Sequence, residues 1–248
     1  MRLENSFIPA RGVGEKTERR LWQRGVTHWD DFEDDLLGPT TAENVREFIG
    51  EARDRLDAGD ADFFGDALPS GSLWRAYPNF AEDACFFDIE TTGLDSSRHE
   101  VTTVSLHRGG DTRTYVQGED LTCEALREEF AASSMLVSFN GKRFDQPFLE
   151  DCYPLDVTTP HLDLMYLCKR VGLSGGLKSV ERDLGIDRAD DDVDGREAVR
   201  LWQRYDRHED DAALERLVRY NREDAENLKD LLETVRGRLR ADVFESYV

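Results

Sequence analysis

The sequence has no long apolar run and few cysteines. None of its 248 residues falls in a stretch of about 18 apolar residues, so no helical membrane span is predicted. The opening residues MRLENSFIPARGVGEK lack the charged and then apolar pattern of a signal peptide, so we expect a cytoplasmic protein. The four cysteines show no C-x-x-C spacing, which argues against a zinc site built from them and favours buried thiols in a reducing compartment.

Lysine is also scarce, and acidic residues outnumber basic ones. Five of the 32 basic residues are lysines, against 53 acidic residues, and the net charge is −21. A chain this acidic would repel nucleic acid, unless it works in a very salty cytoplasm, where about 1 M salt shortens the reach of a charge to about 3 Å. The acidic excess runs along the whole chain, so we favour the salty cytoplasm. Local exceptions to the acidity then tell more about the partner than the net charge does.

Residues 1–29 form one such exception, with six basic and three acidic residues. The stretch IPARGVGEKTERRLWQRGV has a glycine turn, a helical pattern and then Gly25 as a helix stop. It resembles a helix-hairpin-helix motif, in which backbone N–H groups beside a helix N-terminus bind a phosphate. That resemblance implies that Gly12, Gly14 and Lys16 contact the backbone of duplex or structured DNA. An ordinary helical hairpin with a glycine turn is the alternative.

The sequence pattern divides the chain into three parts. Residues 1–58 are predicted to form a small helical domain. Residues 59–82 carry Gly, Pro and Ser without a clear period and are predicted to be a linker that packs its aromatic residues onto the next domain. Residues 83–248 hold the strand patterns ACFFDIET, HEVTTVSLH and DTRTYVQG, a helix, the strand pattern MLVSFN and then mostly helices, which predicts an α/β domain on a mixed sheet. Within it, the acidic segment DRADDDVDG (187–195) is predicted to be a solvated loop.

Two carboxylates lie inside the first of these strands, in FFDIETTGLD. Side chains at i and i+2 of a strand point to the same face, so Asp88 and Glu90 share one face and Phe87 and Ile89 share the other. Two carboxylates this close do not both stay ionised cheaply, so one takes up a proton or a cation lies between them. Mg²⁺ and Mn²⁺ prefer carboxylate oxygens. The alternative is a pair that simply faces water at the end of the strand.

The last helix and a mid-chain turn supply further acids. Asp224 lies seven residues after Leu217 and four before Leu228 in an apolar stripe, so it faces inward, with Tyr220 one turn before it on the same face. An unpaired carboxylate there would cost several kcal/mol. A hydrogen bond between Tyr220 and Asp224, or an arginine pair, is the alternative, but it does not explain the other acids. Asp145 follows a strand and a glycine turn in SFNGKRFDQPFL, where it could equally cap the next helix.

The four acids together resemble the DEDD exonucleases of the ribonuclease H-like superfamily, in the subgroup with tyrosine in the third motif. FDIETTGL, FNGKRFDQPFL and YNREDAENL match its three motifs in order and spacing, and HLDLMYLCKR and GLKSVERDLGI resemble the YprB-like branch. The resemblance covers residues 83–235 and implies a five-stranded mixed sheet flanked by helices. It implies two divalent ions, Mg²⁺ or Mn²⁺, held by the four acids, with Tyr220 orienting the attacking water. It also implies contacts with the terminal nucleotide, and the substrate-binding candidates are Thr91, Leu94, Asn140, Phe144 and Lys178.

These features favour a metal-dependent 3′→5′ exonuclease that acts on a single-stranded end of DNA or RNA, with Asp88, Glu90, Asp145, Tyr220 and Asp224 as catalytic residues. Two alternatives remain open. One is a non-catalytic nucleic-acid-binding module on a nuclease scaffold. The other is an endonuclease of the ribonuclease H type, which does not need the Tyr-x-x-x-Asp arrangement. DNA repair, proofreading and RNA processing would each fit an exonuclease.

Overall fold

The computed structural model describes residues 1–189 and 192–248. The centre of the predicted acidic loop, residues 190–191, lies outside the described residues. The chain forms two compact units, one of residues 1–81 with 236–248 and the other of residues 82–235. No helix within the described residues is both long enough and apolar enough to cross a membrane.

The first unit is helical. Its elements are α1 (Glu15–Trp22), α2 (Pro39–Asp57), α3 (Ala61–Ala67) and α4 (Tyr77–Phe80), with 3-10 helices at Leu3–Asn5, Trp29–Asp31, Asp34–Leu36, Ser70–Arg75 and Glu245–Tyr247. The end of the last helix of the chain, residues 236–243, belongs to it as well.

A buried ion pair lies at the centre of this unit. Arg75 Nη1 is 2.8 Å from Glu18 Oε2, and both side chains are 1% exposed. The other carboxylate oxygen of Glu18 accepts the backbone N–H of Phe7 at 2.7 Å. The guanidinium of Arg75 also lies against two indole rings, 5.9 Å from the ring of Trp22 and 5.8 Å from the ring of Trp74. Both charges are therefore compensated inside an aromatic core.

The limits of this unit differ from those of the predicted domains. Residues 59–82 were predicted as a linker. Residues 59–81 of this stretch hold two short helices and a 3-10 helix, and their buried aromatic side chains lie in the same unit as residues 1–58. Helices of four to seven residues are too short to show a 3.6-residue period, which explains why the sequence pattern missed them.

The second unit contains a mixed five-stranded sheet, as predicted. The strands are β1 (Ala84–Thr91), β2 (Val101–Arg108), β3 (Asp111–Val116), β4 (Met135–Ser138) and β5 (His161–Asp163), in the spatial order β3-β2-β1-β4-β5. β1, β2 and β3 pair antiparallel, while β4 and β5 continue the sheet in parallel with β1. The helices of this unit are α5 (Cys123–Ala131), α6 (Asp145–Cys152), α7 (Leu164–Arg170), α8 (Leu177–Leu184), α9 (Gly195–His208) and most of α10 (Asp211–Val243).

Each face of the sheet carries its own layer of helices. Phe87 and Ile89 of β1 pack in one core with Phe130 of α5 and Leu149 of α6. A second core joins Val116, at the end of β3, to residues of α9 and α10. β1 lies at the centre of the sheet, and its pairing with β2 shifts register between Glu90 and Thr91, so the strand bends at its last two residues. The pleat therefore turns Asp88 and Glu90 toward the layer that contains α10.

The ion pair of the first unit gives a stability prediction. Replacing Glu18 with Gln leaves the buried Arg75 guanidinium without its counter-charge, so the free energy of unfolding should fall by about 3–5 kcal/mol. Urea denaturation measures this change. The matched control is Asp34→Asn, which breaks an exposed pair with Arg46 and should leave the free energy unchanged. Equal losses in the two variants would contradict the role given to the buried pair.

Candidate active site

An acidic cluster lies where β1 and α10 meet. The strand presents Asp88 and Glu90 on one face, and α10 adds Asp224 from the opposite side. One carboxylate oxygen from each of the three residues lies within 4.8 Å of the other two. Three acids from distant parts of the sequence thus lie in one place, two on one face of a strand and one on the inward face of a helix.

Asp145 lies beside this group and is not one of its three members. It is the first residue of α6, and its Oδ1 accepts the backbone N–H of Ile89 at 3.3 Å. The tight turn before α6 brings it there. A side chain at Gly141 would place its Cβ 2.2 Å from the hydroxyl of Ser138, so this position requires glycine. Asp145 is 5% exposed, and it faces the strand that carries the other acids.

Asn221 connects the acidic cluster to the sheet, and sequence analysis gave it no role. Its Nδ2 donates to Asp88 Oδ2 at 2.8 Å, and its Oδ1 accepts the hydroxyl of Ser105 on β2, also at 2.8 Å. Ser105 in turn shares a hydrogen bond of 2.7 Å with Thr114 on β3. The signal in the sequence was a polar residue within the apolar stripe of α10, one turn before Asp224.

Tyr220 lies one turn before Asp224 and is 7% exposed. Its hydroxyl donates a hydrogen bond to the carboxylate of Asp224. Two cations flank its ring, with Lys178 Nζ 5.1 Å and Arg188 Cζ 5.5 Å from the centroid. The ring is therefore held by charge on two sides as well as by packing.

Arg188 is a second residue that sequence analysis missed. It follows α8, its side chain is 3% exposed, and it pairs with both Asp224 and Glu181. Nothing in the periodicity of its segment marks it, because the segment belongs to no helix or strand. The arginine partner weighed for Asp224 in the sequence is therefore present, together with the tyrosine hydrogen bond.

Burial and mutual repulsion raise the pKa values of the acids. Burial, followed by the charges of Asp224 and Asp145, raises the pKa of Asp88 and of Glu90 well above the ordinary range. Burial raises the pKa of Asp145 to about 7 although backbone N–H groups oppose the shift. Burial raises the pKa of Asp224 to about 6 against the opposing charge of Arg188. Burial and the neighbouring carboxylates also raise the pKa of Tyr220 above its usual value, so its hydroxyl keeps its proton at neutral pH.

The donor set fits a hard divalent cation. Carboxylate oxygens are the ligands that Mg²⁺ and Mn²⁺ prefer, and Asp88, Glu90 and Asp224 offer three within a few ångströms. Because the pKa values of Asp88 and Glu90 are raised, ionising these carboxylates in the folded protein costs free energy. A divalent ion between them would lower that cost. The charge of Asp145 also raises the pKa values of Asp88 and Glu90, so Asp145 is close enough to influence the cluster.

A cavity of about 680 Å³ opens beside Glu90. Three predicted substrate-binding residues, Thr91, Leu94 and Phe144, line it, together with residues at the start of α9. Leu94 is 85% exposed, so an apolar side chain is presented to the cavity mouth. The hydroxyl of Thr91 donates to the carbonyl oxygen of Gly93 at 2.7 Å.

The other predicted binding residues lie elsewhere. Asn140 is outside the described lining of the cavity, and its backbone N–H donates to Asp163 Oδ1 at 2.8 Å. Lys178 donates to the backbone carbonyl of Val193 and lies over Tyr220, so it borders the acidic cluster. Three hairpin residues belong to the first unit and are exposed there, namely Gly12, Gly14 and Lys16. Gly12 adopts a left-handed φ of +88°, and Gly14 precedes the first residue of α1.

The pKa shifts predict how the metal-free protein responds to pH. At pH 5 to 6 the folded protein keeps protons on Asp145 and Asp224 that the unfolded chain, with ordinary carboxyl pKa values of about 3.9, has released. These two groups therefore favour the folded state at low pH, and their contribution is lost as the pH rises from about 4 to about 7. Melting temperatures in EDTA across this range should show this loss, and Asp145→Asn should reduce it. A wild-type profile that matches the variant's would contradict the shift.

Comparison with known proteins supports this fold. Residues 85–236, more than half of the chain, match the family model of the RNase H superfamily. The family B DNA polymerase from the hyperthermophilic archaeon Pyrobaculum calidifontis aligns with 61% of this chain at 18% identity and a TM-score of 0.53. The alignment covers 24% of the polymerase, so the chain spans about a quarter of that protein's length, and the likeness concerns the fold alone.

A second solved structure, NrnC of Brucella melitensis bound to pGG, is 21% identical over 67% of this chain and 78% of NrnC, with a TM-score of 0.48. Comparison with curated protein sequences gives no match. The family match spans all five strands and most of α10, and the mixed order of the sheet agrees with it. The chain belongs to the RNase H superfamily.

Proposed function

We propose that this protein is a metal-dependent 3′→5′ exonuclease that removes nucleotides from a single-stranded end, and that it belongs to the YprB-like branch of the DEDD exonucleases. One observation carries the proposal. Asp88, Glu90 and Asp224 converge in a buried cluster, Asp145 lies beside them, and Tyr220 donates a hydrogen bond to Asp224. A scaffold that only bound nucleic acid would have no physical reason to bring four carboxylates together.

The acids would hold two divalent ions, Mg²⁺ or Mn²⁺. Asp88, Glu90 and Asp224 would bind one ion, and Asp145 together with Asp88 would bind the other. Such ions stabilise the attacking and leaving oxygens of a phosphodiester during displacement. Asn221 keeps Asp88 in place through its hydrogen bond of 2.8 Å. Tyr220, which stays protonated because its pKa is raised, orients the attacking water rather than removing its proton.

The cavity beside Glu90 is the proposed site of the terminal nucleotide. Its mouth presents Leu94, whose apolar surface suits the face of a base, and Phe144 adds an aromatic ring. Thr91 lines the cavity next to Glu90, and we assign it a contact with the 3′-hydroxyl. A nucleotide seated in this cavity would place its 5′ phosphate at the acidic cluster, which is the arrangement that a 3′ exonuclease requires.

The surface of α7 supports a polyanionic substrate. In a chain with a net charge of −21, the exposed side of this helix carries Lys169 and Arg170 beside Tyr166, which is 48% exposed. Lys169 Nζ lies 5.8 Å from the tyrosine ring. A base-stacking ring with neighbouring cations is a typical surface for single-stranded nucleic acid. Molar salt weakens such exposed contacts. The composition favours a protein that works in a salty cytoplasm, so its activity is tested in molar salt.

The proposal is tested by a cleavage time course in molar KCl with Mn²⁺ or Mg²⁺. The substrates are 5′-labelled single-stranded DNA and RNA with a 3′-hydroxyl or a 3′-phosphate. We expect a ladder that shortens from the 3′ end, and no ladder with Asp88→Ala or Asp224→Ala. Asp230→Ala is the matched control, because Asp230 is an exposed acid on the same helix as Asp224.

Tyr220→Phe should keep metal binding and lose kcat on the order of 100-fold, since misplacing a reactant costs about that much. Full activity in Asp88→Ala or Asp224→Ala would reject the active site. Binding of the strand without cleavage by the wild-type protein would favour the non-catalytic module, and internal cuts in a hybrid duplex would favour the endonuclease.

We further propose that the hairpin of the first unit contacts the backbone of duplex or structured DNA. Gly12, Gly14 and Lys16 are exposed around the start of α1, and the first backbone N–H groups of a helix have no acceptor within it, so they can bind a phosphate. Lys16→Glu should weaken binding to a duplex with a single-stranded 3′ tail and leave cleavage of a short single strand unchanged, as measured by fluorescence anisotropy and by the cleavage assay. Glu15→Lys, at the neighbouring exposed position, should strengthen duplex binding. Equal binding by all three proteins would reject the hairpin contact.

A further inference from the structure

Arg188 places a positive charge inside the acidic cluster. Its guanidinium bridges two helices, since Nη2 pairs with Asp224 on α10 and Nη1 lies 2.5 Å from Glu181 Oε2 on α8. The side chain is 3% exposed, so these ion pairs are shielded from water and from salt. The contact with Asp224 uses Oδ1 of a carboxylate that belongs to the group of three acids.

Glu181 anchors this arginine independently of the cluster. Its side chain is fully buried, and its second oxygen accepts the amide of Asn227 at 3.1 Å. Arg188 therefore does not rely on Asp224 for its position. The neighbouring Ala189 N–H donates to Glu223, which ties the same segment to α10 through a contact outside the cluster.

A fixed cation at this place has two opposite effects. It offsets the repulsion among Asp88, Glu90 and Asp224 when no metal is bound. It also lowers the attraction of the cluster for a divalent ion, because it occupies one oxygen of Asp224 and repels a second cation.

We propose that Arg188 is a built-in counter-cation of the acidic cluster, which neutralises Asp224 in the metal-free protein and competes with the divalent ion for that carboxylate. The inference rests on the proposed function in that the cluster is taken as the metal site. Arg188 acts through Asp224, so it is a positioning residue that sets the affinity for the ion. It also explains how a fold with four acids so close together can form before it meets a metal.

The experiment titrates Mn²⁺ into wild-type, Arg188→Gln and Arg188→Lys protein by calorimetry in molar KCl, and records melting curves with and without the ion. Arg188→Gln should bind Mn²⁺ about tenfold more tightly or better, since a unit charge a few ångströms away in a buried site has an effect of at least that size. Its metal-free form should melt at a lower temperature, and Mn²⁺ should raise that temperature more than in the wild type. Arg188→Lys keeps the charge and should stay close to wild-type affinity.

Arg204→Gln is the matched control, because Arg204 forms a surface pair with Asp210 and its loss removes the same charge outside the site. It should leave Mn²⁺ affinity unchanged. Equal or weaker Mn²⁺ binding by folded Arg188→Gln protein, or a gain of equal size in Arg204→Gln, would overturn the proposal. If Arg188→Gln folds only when Mn²⁺ is added, the ion has replaced the arginine, which supports the proposal. Failure to fold even with Mn²⁺ would reject it.

This result is separable from the nuclease proposal. A wild-type protein that cleaves, combined with unchanged Mn²⁺ affinity in Arg188→Gln, rejects only the counter-cation. Tighter Mn²⁺ binding in Arg188→Gln, combined with a wild-type protein that does not cleave, keeps the counter-cation and rejects the nuclease.

Discussion

The stability of the second unit depends on how the charges of its clustered carboxylates are compensated. Asp88, Glu90, Asp145 and Asp224 lie close together, and burial alone would make their ionised forms expensive. Three of them have an identified hydrogen-bond or ion-pair partner: Asn221 for Asp88, the backbone N–H of Ile89 for Asp145, and Arg188 with Tyr220 for Asp224. These partners lie on α10, on β1 and in the segment after α8. The repulsion is therefore divided among several elements, so the cluster can exist only when the whole sheet and its helices are in place.

Part of this arrangement could be predicted because it follows from periodicity. The two-residue repeat of a strand puts Asp88 and Glu90 on one face, and the helical repeat puts Tyr220 and Asp224 on the inward stripe of α10. A slip of one residue in β1 would exchange Asp88 for Phe87 and destroy both the core and the cluster. The order of strands and helices likewise predicted a mixed sheet from four strand patterns, whereas β5, with three residues, is too short to show a pattern, and five strands were expected from the family resemblance.

The rest could not be predicted, because it depends on contacts between residues far apart in sequence. Asn221 was visible as a polar residue in an apolar stripe, but its partners Asp88 and Ser105 lie on two different strands. Arg188 belongs to a segment without periodicity, so its burial between α8 and α10 leaves no trace in the sequence. The short helices within residues 59–81 were not predicted for a related reason, since their four to seven residues are too few to establish a repeat. Asn140 stays a predicted substrate-binding residue, although it is not among the residues that line the cavity.

The acidic composition and the cations beside the acidic cluster have separate physical effects. At about 1 M salt, exposed charges act over only about 3 Å, so distant acids would neither help nor hinder the binding of a nucleic-acid strand. A charge that is shielded from the salt keeps its influence, and in this site Arg188 is such a charge, with Lys178 half-buried beside it over the ring of Tyr220. Affinity for a metal and for a phosphate would then be set by a few buried residues. The net charge of −21 would govern solubility, and the interior of the site would govern the chemistry.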